Sequence, residues 1–234
     1  MAKPIVVRAV LFDLDGTLVD SLPDLLNAAN NMLLCLDRPA IGRAALEGYI
    51  GNGVVSMVNR LLTSCMGSEP AKALFEEALE LFESHYFKHI CEDSRLYPEV
   101  LEGLDLMRER GFAMGVVTNK ADQFTHLLLK NLGIISYFSV VVSGDTLDTK
   151  KPAPEPLLHA ASLLNACPKE ALMVGDSVND IQAARSAGCP VFCVSYGYRG
   201  GLSADQLKAD RVVQSILKMN RLIVPANVGN IPGI

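Results

Sequence analysis

The chain has 234 residues, enough for one domain of ordinary size with a smaller one attached. Hydrophobic residues make up 50% of it and charged residues 20%, a globular composition that excludes an intrinsically disordered protein. The formal net charge is −5, so the chain lacks the excess of cations that sequence-independent binding of nucleic acid needs.

The N-terminal segment and the cysteines indicate a compartment. The first apolar stretch is interrupted by Arg8 and is followed by no small-residue cleavage site, unlike a signal peptide. No uncharged apolar run approaches the ~20 residues that span a bilayer. None of the 6 cysteines forms a CxxC pair. We therefore expect a cytoplasmic protein without a membrane or nucleic-acid partner, and the sequence leaves open whether it is a monomer or a homodimer.

Short valine-rich runs predict strands that are buried on both faces, as in a parallel sheet covered by helices. Segments of helical length follow several of these runs. The predicted strands are residues 9–13, 113–118, 139–143, 171–176 and 190–195. The predicted helices are residues 99–110, 121–132, 154–164 and 179–187. This alternation predicts an α/β core with a doubly wound, Rossmann-like parallel sheet.

Between the first and second predicted strands lies a segment, residues 18–95, that is far longer than one crossover helix. It has helical periodicity and no convincing strand. Its first helix is predicted to start behind Ser21 as N-cap, with Pro23 in the first turn. We therefore predict an all-helical insert (residues 18–95) above the first strand. The core is then formed by residues 1–17 and 96–234.

Polar side chains stand at the ends of four predicted strands: Asp13, Thr118, Ser143 and Asp176. In open α/β sheets the ligand binds at the carboxyl ends of the strands. Solvated strand ends would account for one or two of these residues, but not for the local patterns around them. We therefore expect them to converge on a ligand site at one edge of the sheet.

The first of these patterns joins Asp13 and Asp15, two residues apart. In extended backbone both side chains point the same way. Two carboxylates this close repel each other unless a cation bridges them, and oxygen ligands favour Mg²⁺. Gly16 lets the chain turn, and Thr17 can hydrogen-bond the acids. A surface turn is the alternative for an isolated pair, but rarely directly after a buried apolar run.

A second acidic pattern follows the fourth strand. Asp176 stands at the strand end, where it could complete the ligands of the metal. Asp180 lies one helical turn later and could hold a neighbouring water or lysine in place. The alternative for Asp180 is an ordinary acidic residue in the first turn of a helix.

Groups that could bind an anion follow the second and third strands. Thr118 and Asn119 offer a hydroxyl and an amide before a helix whose N-terminal N–H groups attract anions. Lys150 and Lys151 lie on a loop stiffened by prolines. They are the natural counter-charge for a phosphate.

In this order, the Asp-x-Asp-Gly-Thr, strand-end Thr, Lys-Pro and Gly-Asp-Ser-x-Asn-Asp segments resemble the four motifs of the haloacid dehalogenase superfamily of phosphatases. The resemblance spans the chain and implies a Rossmann-like core with the helical insert as a specificity cap. It implies that Asp13 is the nucleophile and Asp15 the general acid/base. Thr118 and Lys151 would bind the phosphoryl group. Mg²⁺ would be held by Asp13, the main-chain carbonyl of Asp15, and Asp176.

The insert and the segment after the last predicted strand bear on the substrate. Gly51, Asn52 and Gly53 form a turn whose N–H groups could hold a small carboxylate, although an ordinary interhelix turn is the alternative. The glycine-rich segment 195–201 could form a mobile wall of the pocket. The apolar tail, residues 222–234, carries no motif that indicates a function.

Together the motifs resemble those of bacterial phosphoglycolate phosphatases. The implied reaction converts 2-phosphoglycolate to glycolate and phosphate, with Mg²⁺ and through an aspartyl-phosphate intermediate. The alternatives are a phosphatase or phosphomutase of the same superfamily that acts on a phosphosugar or another small phosphate ester. A non-catalytic binding module is disfavoured because Asp13, Asp15, Lys151 and Asp176 are all present.

Overall fold

The computed structural model describes residues 3–199 and 201–226. Its strands are β1 (Ile5–Val7), β2 (Ala9–Phe12), β3 (Val19–Asp20), β4 (Arg95–Leu96), β5 (Ala113–Val117), β6 (Val140–Val142), β7 (Ala171–Gly175), β8 (Val191–Val194), β9 (Arg211–Val213) and β10 (Ile223–Pro225). Its helices are α1 (Leu22–Cys35), α2 (Arg43–Glu47), α3 (Val54–Met66), α4 (Lys72–His89), α5 (Val100–Glu109), α6 (Asp122–Asn131), α7 (Glu155–Leu163), α8 (Val178–Ala187) and α9 (Ile216–Met219).

A central sheet of 6 parallel strands has the order β6-β5-β2-β7-β8-β9. In chain order this is the third, second, first, fourth, fifth and sixth strand, the arrangement of a doubly wound sheet. The predicted fold class of the core is confirmed. The chain reverses its direction of travel across the sheet between β2 and β7, and ligands bind at the carboxyl ends of the strands at such a point.

Both faces of the sheet are buried, which explains the continuous apolar runs. Alternate residues of β2 separate into two apolar clusters: Val10 and Phe12 face one cluster, and Ala9 and Leu11 the other. Helices α5, α6 and α9 cover the first face, and α7 and α8 cover the second.

The five predicted strands are all present, and each of them ends one residue earlier than predicted. β2 ends at Phe12, β5 at Val117 and β7 at Gly175. The chemically important side chains, Asp13 and Asp176, therefore stand just past the strand ends. Loop backbone at these positions lets the side chains turn towards each other.

Residues 18–95 contain the helices α1 to α4. They enter and leave through a short antiparallel pair, β3 and β4, in which Val19 pairs with Leu96. The prediction that this segment contains no strand is therefore wrong at its two ends. Two-residue strands are too short to show an alternating pattern. Ser21 stands at the N-terminus of α1, but its side chain does not cap the helix.

The insert and the core share one apolar cluster. Leu33 of α1 and Phe82 of α4 belong to the same buried cluster as Phe12 of β2 and Val116 of β5. The strongest packing within the insert joins α1 to α4. This shared cluster holds α1 and α4 against the carboxyl edge of the sheet.

Three further strands were not predicted. β9 adds a sixth strand to the edge of the sheet, and β1 pairs with β10 in a separate parallel ladder. Each has three residues, with at most one of them fully buried, so its hydrophobic pattern is weak. The apolar tail thus begins with β10, while residues 227–234 lie outside the described residues. Among the described helices, none has the length and apolarity to cross a membrane.

Candidate active site

Three of the four predicted strand-end residues converge at the carboxyl edge of β2, β5 and β7. Asp13 and Thr118 line a cavity of about 40 Å³ there, and Asp176 lies behind Asp13. Ser143 does not line this cavity. It follows β6, two strands from β2, and its hydroxyl donates to Asp122 Oδ1 over 3.0 Å. The expectation that Ser143 joins the site is therefore wrong.

The chain leaves β2 in a bend and a turn rather than in extended backbone. The extended geometry predicted for Asp13 and Asp15 is therefore wrong. Gly16 has φ +86°, and a Cβ there would lie 2.4 Å from Asp176 Oδ2. Only glycine lets this turn pass so close to a buried carboxylate. The turn sends the carboxylates of Asp13 and Asp15 to two different lysines.

Lys151 is the cation beside Asp13. Its Nζ lies 2.9 Å from Asp13 Oδ1 and 2.7 Å from Asp180 Oδ1, and it donates to the main-chain carbonyl of Val117 over 2.7 Å. The side chain of Lys151 is only 2% exposed. Three acceptors thus use the three protons of the ammonium group, and the two carboxylates raise the pKa of Lys151 despite its burial. Lys151 stays positively charged at the base of the cavity.

Asp180 is fully buried and its two oxygens have different partners. Oδ1 accepts from Lys151, while Oδ2 accepts from the main-chain N–H of Asp176 and of Ser177 and from the Ser177 hydroxyl. Ser177 and Asp180 form a capping box at the start of α8. The Asp180 side chain thus does both things that the sequence suggested: it lies in the first turn of a helix, where it forms a capping box, and it holds Lys151 in place.

Asp176 is held by donors from two distant segments. Thr17 Oγ1 donates to Oδ1 over 2.8 Å, and the main-chain N–H of Tyr198 donates to Oδ2 over 2.6 Å. Burial raises the pKa of Asp176 well above its ordinary value, and the charges of Asp180 and Asp13 raise it further. The glycine-rich segment after β8 therefore packs against this carboxylate, and none of its described residues lines the cavity, unlike the predicted wall.

The acidic cluster beside Lys151 has the chemistry of a cation site. One carboxylate oxygen from each of Asp13, Asp176 and Asp180 lies within 4.8 Å of the other two. Burial raises the pKa of Asp13 to about 6, because the chain's own cations do not fully offset the cost of burying the charge. Since Asp180 already accepts four hydrogen bonds, Asp13 and Asp176 are the carboxylates best placed to bind a divalent cation.

Asp15 pairs with a residue that the sequence interpretation passed over, Lys120. Lys120 Nζ lies 3.2 Å from Oδ1 and 3.1 Å from Oδ2 of Asp15, and it donates to the Tyr86 hydroxyl over 2.8 Å. Ser21 Oγ donates to Asp15 Oδ1 over 2.5 Å. Lys120 directly follows Thr118 and Asn119, and its loop position gave no periodic signal. Tyr86 looked like one more apolar residue of an amphipathic helix.

Thr118 and Asn119 connect the loops around the cavity. The Asn119 side chain donates to the carbonyls of Gly51 and Lys151, each over 2.8 Å, and accepts from Lys151 N–H over 3.0 Å. Thr118 Oγ1 accepts from Lys120 N–H over 3.2 Å. The Thr118 hydroxyl keeps its own proton for a ligand, whereas the Asn119 amide is used to join main-chain segments.

The insert closes the cavity from above. Gly51 and Gly53 line it, whereas the Asn52 side chain accepts from Asn179 Nδ2 over 2.9 Å and lies outside. The carbonyl of Gly51 accepts from both Asn119 and Asn179, so it ties the turn to the core. The rest of this wall is apolar and consists of Leu25, Ile50, Val54 and Met57. The cavity therefore has a charged floor and an apolar roof.

Comparison with known proteins agrees with this geometry. Residues 10–194 match the family model of the haloacid dehalogenase-like hydrolases. The chain belongs to this family. It is 46% identical to the phosphoglycolate phosphatase of Thiobacillus denitrificans, over 95% of this chain and 98% of the relative. It is 39% identical to the phosphoglycolate phosphatase of Escherichia coli, over 90% of each.

A solved structure gives the same result. The crystal structure of a predicted phosphoglycolate phosphatase from Haemophilus somnus matches with a TM-score of 0.88 and 34% identity, over 92% of this chain and 97% of that one. The family inferred from the motifs is thus confirmed, and so is the prediction that the chain is a phosphatase.

Proposed function

We propose that this phosphatase hydrolyses 2-phosphoglycolate to glycolate and phosphate, with Mg²⁺ as cofactor and Asp13 as nucleophile. The observation that carries the proposal is that three separate segments of the chain bring Asp13 and Lys151 to one small cavity and Asp176 directly beside Asp13. The relatives named phosphoglycolate phosphatase, similar over nearly the whole chain, support the substrate.

The residues present fit a magnesium ion. Asp13 and Asp176 offer buried carboxylates whose pKa values are raised, so a divalent cation there relieves the cost of ionising them. We propose that these two side chains and the main-chain carbonyl of Asp15 hold the ion. When bound, Mg²⁺ supplies positive charge that screens the phosphate from Asp13 and polarises a phosphoryl oxygen.

Lys151 and Thr118 are proposed to bind the phosphoryl group. A phosphate dianion is repelled by the carboxylates on the cavity floor, and Lys151 supplies compensating charge because it stays protonated. Thr118 lines the cavity with a hydroxyl that can donate to a phosphoryl oxygen. Asp180 acts on Lys151 rather than on the substrate, since its contact with Nζ fixes the position of the ammonium group.

The reaction is proposed to proceed in two displacements. Asp13 attacks phosphorus, forming the bond to its carboxylate oxygen as the bond to the glycolate oxygen breaks. Asp15 gives its proton to the departing oxygen. Water then attacks the aspartyl phosphate, Asp15 removes a proton from that water, and phosphate leaves with Asp13 regenerated. Asp15 lines the cavity next to Asp13, as both half-reactions require.

The helical insert, residues 18–95, is proposed to act as the cap that selects the substrate. Its apolar residues Leu25, Ile50 and Met57 roof a cavity of about 40 Å³, space for a group only a few atoms in size. The turn at Gly51 and Gly53 is the part of the insert whose main chain lines the cavity. The small volume of this cavity favours a small phosphate ester over a sugar phosphate.

The proposal is tested by turnover of 2-phosphoglycolate and a panel of sugar phosphates, with Mg²⁺ and with a chelator. Asp13→Asn is expected to lower kcat at least about 10⁴-fold, because it removes the nucleophile. Asp148→Asn is the matched control, since Asp148 is exposed and outside the cavity. Preference for a sugar phosphate contradicts the substrate, and wild-type turnover by Asp13→Asn contradicts the mechanism.

A further inference from the structure

Asp15 stands on backbone that does not hold its side chain by itself. It lies between a bend and a turn, and the main-chain hydrogen bonds that Leu14 and Gly16 make with Val19 close this loop. These bonds hold the backbone and leave the Asp15 side chain without a partner in its own loop. A group that delivers a proton to a departing oxygen must be held in a narrow range of positions, because small displacements cost large factors in rate. The side chain of Asp15 therefore needs partners outside its own loop.

Lys120 is the main partner. Its ammonium group lies almost equally far from the two oxygens of Asp15, at 3.2 and 3.1 Å, so it fixes the plane of the carboxylate as well as its position. The Lys120 side chain is 2% exposed, and that of Asp15 is 14% exposed towards the cavity. Asp15 thus keeps an open side to the substrate while its other side is held.

Lys120 is itself fixed along its whole length. Its main-chain N–H donates to Thr118 Oγ1, and its carbonyl accepts from Gly144 N–H over 2.7 Å. At the other end Nζ donates to the Tyr86 hydroxyl and lies 4.8 Å from the centre of the same ring. A lysine held at both ends loses little additional conformational freedom when it orients Asp15.

Tyr86 brings the insert into this arrangement. It belongs to α4, it is fully buried, and its ring packs edge-on against Phe124 of α6 at 5.1 Å. The burial that surrounds it raises the pKa of the phenol to about 12, so the hydroxyl stays neutral and accepts from the ammonium group. A residue from the insert therefore sets the position of a lysine from the core.

We infer that Lys120 is a positioning residue for Asp15, and that Tyr86 makes this positioning depend on the packing of α4 against the core. The inference rests on the proposed role of Asp15 as the acid of the first step. Lys120 acts through Asp15 and takes no part in binding the substrate. The helical insert thereby contributes to proton transfer in addition to roofing the cavity.

Leaving-group dependence tests the inference. An alkoxide needs a proton to leave, whereas p-nitrophenolate leaves without one, so only alkyl esters need a positioned Asp15 in the first step. The value of kcat/KM reports that first step alone. We would measure it for 2-phosphoglycolate, ethyl phosphate and p-nitrophenyl phosphate in wild type, Lys120→Met and Tyr86→Phe. Lys130→Met, an exposed lysine on α6, is the matched control.

Lys120→Met is expected to lower kcat/KM for both alkyl esters at least about 10²-fold, the range of one general acid, and to leave p-nitrophenyl phosphate near its wild-type value. Tyr86→Phe should also lower kcat/KM for the alkyl esters relative to p-nitrophenyl phosphate, but by less than Lys120→Met, since the aromatic ring and its packing are kept. Thermal unfolding of each variant shows that the fold is retained.

Three results would overturn the inference. Equal losses on all three esters indicate a structural role, and a loss confined to 2-phosphoglycolate indicates that Lys120 binds the carboxylate of the substrate. Unchanged kcat/KM for the alkyl esters shows that Lys120 is dispensable. The proposed function is contradicted by a different result, an active Asp13→Asn variant. The ratio of kcat/KM for ethyl phosphate to that for p-nitrophenyl phosphate tests the role of Lys120 even when 2-phosphoglycolate is a poor substrate.

Discussion

Two buried lysines, Lys120 and Lys151, line the cavity. They are equally buried, but different groups hold their ammonium groups in place. The side chains of Lys151 and Lys120 are each 2% exposed. Lys151 pairs with Asp13, which is 13% exposed, and Lys120 pairs with Asp15, which is 14% exposed. Lys151 is anchored by a second carboxylate, Asp180, and by a main-chain carbonyl of the core. Lys120 is anchored by a neutral phenol from the insert.

Because of this difference, the two lysine clusters depend on different parts of the fold. The Lys151 cluster (Asp13, Lys151 and Asp180) consists of core residues alone, so its charge balance is set by the sheet and by the start of α8. The Lys120 cluster (Asp15, Lys120, Tyr86 and Ser21) depends on α4 and on the first residue before α1. In the proposed mechanism, phosphate binding therefore depends on core residues alone, while proton transfer also depends on the insert.

The largest expected effect comes from Lys151→Met. It should lower kcat at least about 10³-fold for every phosphate ester, since it removes positive charge next to the transferring group. It should also lower the free energy of unfolding by about 3–5 kcal/mol, because Asp180 is left buried without its cation. Lys120→Met should destabilise less, since it leaves no second carboxylate behind.

The double variant Lys151→Met, Asp180→Asn sharpens this prediction. It should recover part of the lost stability without recovering activity, since the uncompensated charge is gone but the proposed phosphate ligand, Lys151, is still missing. Chemical denaturation of both lysine variants and of the double variant measures this. Equal destabilisation by Lys120→Met and Lys151→Met would show that the two anchors are equivalent.

Thr118 lies between the two clusters and tests whether they act separately. Thr118→Ala should lower kcat/KM about 10²-fold for alkyl and p-nitrophenyl esters alike, as expected for one lost donor to the phosphoryl group. Thr118→Ser keeps the hydroxyl and should stay close to wild type. A loss limited to alkyl esters would instead place Thr118 with the Lys120 cluster, through its contact with Lys120 N–H.

The pH dependence of cation binding should come from the carboxylates beside Lys151. In the metal-free enzyme the pKa of Asp13 is about 6, so below that pH a proton must leave before the cation binds. The apparent affinity for Mg²⁺ should therefore fall by about tenfold for each pH unit below 6 through Asp13 alone, and more steeply where Asp176, whose pKa is also raised, binds a proton too. Titration calorimetry between pH 5 and pH 8 measures it, and an affinity independent of pH would contradict the raised pKa.

The smallest effect is expected at Asn52. Its side chain contacts Asn179 outside the cavity, so Asn52→Ala should change KM for 2-phosphoglycolate only a few-fold, by loosening the turn next to Gly51. A loss of 10²-fold or more would mean that Asn52 turns inwards and binds the substrate carboxylate. Initial rates over a range of substrate concentrations separate these outcomes.

The hydrophobic pattern of the sequence predicted most strands of the core. Apolar runs gave five of the six strands of the sheet, because strands buried on both faces must be apolar throughout. The prediction failed for β3, β4, β9 and the β1–β10 pair, which are too short or too exposed to leave a pattern. Ser143 was misplaced because a strand-end hydroxyl gives no information about how many strands separate it from the site.

The sequence by itself determined the alternation of strands and helices, the acids at the strand ends and the length of the insert, since these follow from local patterns of hydrophobicity and from short motifs. The tertiary structure alone decided which lysine meets which aspartate. Asp15 and Lys120 are 105 residues apart, and Lys120 and Tyr86 are 34 apart. Contacts at such separations arise from the packing of α4 on the sheet, and no local pattern encodes them.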